Sequence, residues 1–288
     1  MQINAKNLTY IYNKNSPFSV KALDNINLII EEGEFFGIIG HTGSGKSTFL
    51  QHLNALIPVM EGHLYIGKFD LTDKKCNFRE LRSKVGMVFQ YPEYQLFADT
   101  VFDDVAFGLK NFMPEIKGAE LTQHIKEALE IVGLNYNEIK DKSPFDLSGG
   151  QKRRVAIAGV IATKPEILVL DEPAAGLDPK GKKEIMEFMH ILHKSWCKTI
   201  IFVSHDMDEI AENCSKVAVF NKGGIDSVSV PKELFKKSAH LIELGLDIPV
   251  TANAALSLKK NGVEIDTDFK TDDFIEKTTN YYNNNRLS

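Results

Sequence analysis

The nine residues Gly40 to Thr48, GHTGSGKST, constrain this chain more than any others. They satisfy GxxxxGK[ST], a pattern that carries weight only between a strand and a helix. Upstream, Phe35 to Ile39 is a short apolar run of the kind a strand buried on both faces requires. Downstream, Phe49 to Leu56 has helical periodicity until Pro58 ends it. Strand, glycine loop and helix thus stand in the order that turns backbone amides inward on a polyphosphate, above the positive end of a helix dipole. Lys46 is placed to reach the β- and γ-phosphates of ATP, and the Ser47 hydroxyl to hold Mg²⁺. Gly40, His41, Thr42, Gly43, Ser44, Gly45 and Thr48 complete the expected cradle.

Such a loop needs an acidic partner at the end of a neighbouring strand. Ile167 to Leu170, followed by Asp171 and Glu172, supplies one. Asp171 is expected to bind Mg²⁺ through its water shell, and Glu172 to polarise a water for in-line attack on the γ-phosphate. Around these motifs the chain alternates. Strand patterns cover Ile3 to Tyr12, Leu23 to Ile30 and Glu34 to Ile39, with a further pair near His63 to Ile66 and a strand at Val85 to Phe89. Ala98 to Asp146 turns helical, with Leu121, Ile125, Leu129 and Val132 at helical spacing, and a further helix starts at Gly149. Helices at Lys182 to Lys194 and Met207 to Asn213 then alternate with strands at Thr199 to Ser204 and Val217 to Phe220. The pattern predicts an α/β P-loop NTPase with a mostly parallel sheet and an inserted helical subdomain at about residues 98–160. This first unit is expected to span residues 1–229. Residues 230–288 read as a small C-terminal domain with short helices at Lys232 to Leu244 and Ala252 to Lys260, broken at Gly245 and Asn261–Gly262. The polar, asparagine-rich stretch from Asn280 to Ser288 is assigned no structure.

Composition narrows the partners. Of 288 residues, 34 are basic and 39 acidic, and a net charge of −5 is a poor footprint for a dedicated nucleic-acid binder. No window approaches the roughly 18 consecutive apolar residues that span a bilayer. Met1 to Tyr10 interleaves polar and apolar residues and does not read as a signal peptide. Cys76, Cys197 and Cys214 are odd in number, widely spaced and without a ligand pattern, and read as free thiols.

Leu147–Ser148–Gly149–Gly150–Gln151 narrows the class. A serine and two glycines at a helix start form a second anion site, yet the chain already has its phosphate cradle. Two cradles per chain imply a dimer. Together the P-loop, Gln90, LSGGQ, Asp171–Glu172, Gly176–Leu177–Asp178 and His205 resemble the ATP-binding cassette (ABC) family. There two cassettes meet head to tail, each ATP lying between one P-loop and the partner's LSGGQ, and the resemblance implies that the mostly parallel sheet is RecA-like and accompanied by an antiparallel β subdomain. The resemblance implies that Tyr12 stacks on adenine, although Tyr10 shares its side of an ideal strand. It further implies that Gln90 senses Mg²⁺ and the γ-phosphate, that Asp178 communicates across the dimer, and that His205 contacts the γ-phosphate.

Around Gln90 the match is narrower. Phe89 to Phe97, FQYPEYQLF, is similar to a stretch of energy-coupling factor (ECF) transporter ATPases, the group that includes cobalt-import ATPases. Gln51–His52–Leu53–Asn54, Arg153 to Ala162 and DEPAAGLDP resemble the second of the two ATPase types that pair as a heterodimer, with Ala174 where threonine is common. The C-terminal segment, with Pro231 to Phe235 and Leu244 to Pro249, is similar to the small extra domain of those ATPases. The expectations are an ATPase at the cytoplasmic face of the membrane, powering vitamin or transition-metal uptake. It would pair with a sister ATPase or a second copy, and dock on a transmembrane coupling subunit and a substrate-binding membrane subunit, with no nucleic acid. A soluble ABC protein acting on DNA or ribosomes is the alternative. Lys46 and Ser148 lie only 102 residues apart (148 − 46), without heptads or CxxC pairs between them, and the chain has one cassette, both of which weigh against it. A small-molecule kinase would leave LSGGQ and His205 unexplained.

Overall fold

The structure, a computed structural model, describes residues 1–285. Its first strands are β1 (Ile3–Tyr12), β2 (Val20–Ile30) and β3 (Phe35–Ile39), and helix α1 (Lys46–Leu53) follows the glycine loop directly. β4 (Glu61–Ile66) pairs with β5 (Phe69–Asp70), and α2 (Phe78–Lys84) leads into β6 (Val85–Val88). Helices α3 (Val101–Phe112), α4 (Gly118–Ile131), α5 (Tyr136–Ile139) and α6 (Gly149–Ile161) precede β7 (Ile167–Asp171). Alternation resumes with α7 (Pro179–Ser195), β8 (Thr199–Val203), α8 (Met207–Asn213) and β9 (Lys216–Asn221), and β10 (Gly224–Ser229) turns back on β9. The rest is helical: α9 (Pro231–Phe235), α10 (Ser238–Glu243), α11 (Val250–Lys260) and α12 (Thr271–Asn285).

One sheet is antiparallel, in the order β2-β1-β4-β5; the other has the order β10-β9-β3-β8-β7-β6. In the second, β9, β3, β8, β7 and β6 run parallel and only the edge strand β10 is antiparallel. β3 shows why its sequence is apolar throughout. Phe36 and Ile38 face a core shared with Leu8 and Phe49 between the two sheets. Phe35 and Ile39 face the opposite core, shared with Val105 and Phe202 under the helices. Period-2 alternation therefore serves two interiors at once.

Register positions the chemistry. Ile38 of β3 and Asp171 of β7 both lie opposite Val203 of β8, so three parallel strands end level at one edge. The glycine loop, Glu172 and Ser204–His205 leave from those ends, the edge where open α/β sheets bind ligands.

The C-terminal helices are not a separate ball. Phe235, Leu241, Ala252 and Phe269 join the core beneath the sheet. Asp208 Oδ1 accepts from the Val250 amide at 2.9 Å, and Glu212 Oε1 from the Thr271 amide at 2.7 Å, so two carboxylates of α8 cap the first turns of α11 and α12.

Some expectations change. Residues 280–285, assigned no structure above, continue α12; residues 286–288 of that stretch lie outside the described residues. The helix is held by its Lys277–Asp273 pair at 2.8 Å and by the Glu212 cap, tertiary support that asparagine composition does not reveal. The first helix stops at Leu53 rather than Leu56, with Ala55 at φ 50°. The helical stretch from Lys232 divides into α9 and α10, and α2 and β10 add elements that periodicity did not mark.

Candidate active site

Two glycines fix the loop. An added Cβ at Gly40 would lie 2.4 Å from the Phe220 carbonyl oxygen, and one at Gly45, whose φ is +104°, would lie 2.5 Å from that of Ala22. Neither position admits a side chain without moving backbone. Inside the loop the Ser44 hydroxyl is fully buried and has no partner among the described residues. Lys46 is also buried, and its ammonium bends back to donate to the carbonyls of Gly40 and His41, the second at 3.1 Å. Burial holds its pKa below the ordinary lysine value, against the pull of Glu172 and Asp171. A buried ammonium, an orphaned hydroxyl and the free amides of the first turn of α1 are complementary to a bound polyphosphate.

The Ser47 hydroxyl donates to Asp171 Oδ2 at 3.0 Å. Burial raises the Asp171 pKa, reinforced by the Glu172 charge and opposed by the Ser47 bond. A hydroxyl beside a carboxylate fits Mg²⁺, which takes few protein oxygens and keeps several waters. No cluster of three His, Cys, Asp or Glu that could hold a metal occurs among the described residues.

Glu172 occupies the left-handed region at φ 51°. Its Oε2 accepts from Gln90 Nε2 at 3.1 Å, and its Oε1 lies 2.8 Å from His205 Nε2. Three residues drawn from the ends of β6, β7 and β8 thus meet at one carboxylate. A cavity of about 610 Å³ opens beside them, lined among others by Tyr12, Thr48, Lys46, Gln90, Glu172 and His205.

The two tyrosines differ in where their rings lie. Tyr10 is buried against His52, with ring centroids 5.0 Å apart, while Tyr12 faces the cavity with its hydroxyl 3.4 Å from Thr48 Oγ1. Pairing of β1 with β2 is irregular at Tyr10–Ile11, which breaks strict alternation. The rings meet edge to face at 4.8 Å, so Tyr10 buttresses Tyr12. His41 turns away: its ring bonds the Thr42 carbonyl and, at 3.2 Å, Asn221 Oδ1.

Ser148 to Gln151 and Asp178 do not line this cavity. Ser148 caps α6 in a reciprocal box with Gln151, and Asp178 caps α7 through the Gly181 amide at 2.8 Å. Ser148, Gly149, Gly150, Gln151 and Asp178 are exposed, and an added Cβ at Gly149 or Gly150 would meet nothing within 4 Å. One chain therefore presents a phosphate cradle and, on another surface, an open serine-glycine helix start.

Sequence reasoning missed Val20, Lys21 and Ala22, which also line the cavity. Val20 pairs with Tyr12 across β1 and β2 and is 59% exposed, an apolar residue at a strand start with no core to face.

Residues 23–175 match the family described as ABC transporter. The chain is 50% identical, over 94% of both sequences, to the energy-coupling factor transporter ATP-binding protein EcfA2 of Clostridioides difficile (strain 630). Among solved structures it is similar to cbiO1 from Clostridium perfringens, described as part of the ABC transporter complex cbiONQ, at 35% identity and a TM-score of 0.71 over 88% of this chain and 97% of that one. It is also similar to the ATP-binding cassette MJ0796, a dimer in a post-hydrolysis state bound to ADP and Pi, at 31% identity and a TM-score of 0.71 over 79% and 98% of the two chains. The fold and its phosphate cradle define an ABC ATPase. Within that class the chain belongs to the energy-coupling factor transporter ATP-binding proteins, of the EcfA2 kind. Among the described residues no helix is long and apolar enough to cross a membrane.

Proposed function

We propose that this chain supplies one half of each of two composite ATP sites in an energy-coupling factor importer, hydrolysing ATP at the cytoplasmic face of the membrane. The observation that carries the reading is the convergence of Lys46, Ser47, Gln90, Glu172 and His205 on one cavity. Tyr12 offers its ring to adenine, and the amides of the glycine loop with Lys46 take the β- and γ-phosphates. Ser47, Gln90 and Asp171 would hold Mg²⁺, which when bound neutralises charge on the phosphate oxygens. Glu172 accepts a hydrogen bond from the attacking water and aims it in line with the bond to the leaving ADP. His205, already bonded to Glu172, is within reach of the γ-phosphate and fixes the carboxylate's orientation. Ser148, Gly149, Gly150, Gln151 and Asp178 would complete the site of a partner ATPase, a sister chain or a second copy, joined head to tail. That a similar cassette is dimeric supports the pairing.

A cavity of about 300 Å³ between Arg82, Gln95, Leu96, Phe97, Asp104 and Phe107 is the proposed seat of the transmembrane coupling subunit. The transported vitamin or metal ion, cobalt among them, would be selected by a separate membrane subunit, and residues 230–288 would assist pairing of the ATPases.

Two variants test the reading in the complex retrieved from source-cell membranes on a tagged copy of this chain. Lys46→Ala should abolish ATP turnover, and near-normal turnover would refute the cradle. Glu172→Gln should stop hydrolysis while ATP still binds and the pair stays closed; failure to close would make Glu172 a metal ligand or a structural acid.

A further inference from the structure

Arg153 is 4% exposed and sits in the second turn of α6, yet it touches two other parts of the chain. Its Nε and Nη2 donate to the two oxygens of Glu93, at 3.0 and 2.8 Å, a bidentate pair. Its Nη1 donates to the carbonyls of Ala175, at 2.7 Å, and Pro173, at 3.4 Å. The guanidinium carbon lies 5.9 Å from the ring centre of Tyr91. Tyr91 itself is held at φ 55°, where a bulky residue is strained.

These partners have distinct addresses. Tyr91 and Glu93 directly follow Gln90, and Gln95, Leu96 and Phe97 of the same segment line the groove beside α3. Pro173 and Ala175 directly follow Glu172. Arg153 rides on the helix that Ser148 caps. One guanidinium thus joins the groove segment, the loop carrying Glu172 and the helix offered to the opposite site. A fork of fixed geometry can hold a carboxylate and two carbonyls together; a lysine, with a compact ammonium on a flexible stem, cannot reproduce the set.

We propose that Arg153, with Glu93, is a positioning residue for hydrolysis: it fixes the loop that begins at Glu172 relative to the groove segment, so that what occupies the groove reaches the water-orienting carboxylate. The inference rests on the role given to Glu172 above. Arg153 and Glu93 do not line the nucleotide cavity, so their loss should act on turnover and leave ATP affinity alone.

The test uses the membrane-retrieved complex, with wild type, Arg153→Lys, Glu93→Gln, the double variant and Glu172→Gln measured side by side. Arg153→Lys and Glu93→Gln should each lower kcat by roughly ten-fold or more with KM for ATP within about two-fold, and the double variant should be no slower than the slower single one. A merely structural pair would instead lower the melting temperature and raise KM together. Wild-type kcat in either single variant, or losses that multiply in the double variant, would overturn the proposal. If Arg153→Lys does not fold, Glu93→Gln, which keeps the arginine and both carbonyl bonds, decides alone. Normal turnover in Glu172→Gln would instead overturn the functional reading; an inactive Glu172→Gln beside a fully active Arg153→Lys removes only the positioning role.

Discussion

At Gly40 a single hydrogen decides whether the cradle forms. Its α-proton points at the Phe220 carbonyl, where a methyl group would sit 2.4 Å away. Gly40→Ala should therefore lose binding of a fluorescent ATP analogue and cost roughly 1–3 kcal/mol of stability in a denaturant titration. Glu93 makes a different demand. Burial opposes its charge but the Arg153 fork outweighs that, holding its pKa below the ordinary glutamate value. A depressed carboxylate contributes stability that is complete above the unfolded pKa and lost as pH falls through the folded one. The acid limb of the wild-type stability curve should accordingly be steeper than that of Glu93→Gln, as read by melting temperature between about pH 5 and 3. The thiols divide by burial. Desolvation raises all three thiols, Cys197 up to about 12, but Cys197 and Cys214 are buried whereas Cys76 is only half-buried and so reachable by a reagent. Iodoacetamide at pH 8 should modify Cys76 alone in the folded protein, as counted by intact mass. Lys46, Asp171 and Glu172 could be proposed for the site from residue type and spacing, and His205 from the resemblance, before any fold was known. Arg153 could not, because a basic residue inside a helix reads as a solvated one until its carboxylate and carbonyl partners, 60 and 22 residues away, come into contact.

Elements were legible in proportion to how strongly one face is apolar. β3, β7 and β8 are buried at every position, and their apolar runs located them within a residue or two. α2 is seven residues long with only Leu81 and Ser83 buried, and the exposed edge strand β10 has no fully buried residue, so neither offers a period to read. α6 belongs here as well, since its N-terminus is exposed although its body is core. Ser148→Ala should remove one cap bond and cost about 1 kcal/mol of stability. Ser148→Arg tests geometry instead. In a mixed dimer it should silence the partner's cradle and leave this chain's Tyr12, Lys46 and Ser47 able to bind nucleotide. Lys46→Ala should silence the opposite one. Single-turnover hydrolysis, with a labelled ATP analogue cross-linked to each chain, separates the two sites, and loss of the same site in both variants would exclude a head-to-tail pair.

For the molecule as a whole, the segment after Ser229 completes the core laid down by residues 1–229. Leu234, Phe235, Leu241 and Ala252 are buried in the interior that also holds Phe35 and Phe202. A chain ending at Ser229 should melt more than about 5 °C below the full one, since each large side chain lost from a core is worth roughly 1.5–3 kcal/mol. Neither composition nor periodicity announced this, because contacts across so many residues leave no local pattern. The two α8 carboxylates that cap α11 and α12 add a sense of time. Asp208 and Glu212 lie just past His205 in the chain, but the amides they accept from belong to Val250 and Thr271 and leave the ribosome later. Synthesis proceeds at roughly 5–20 residues per second, so during translation there is an interval of seconds in which the cradle has been made while the carboxylates of the helix behind His205 still lack the amides they cap. A chain released from the ribosome but ending at Ser229 should be cleaved by protease within α8, and the full-length chain should resist at the same bonds.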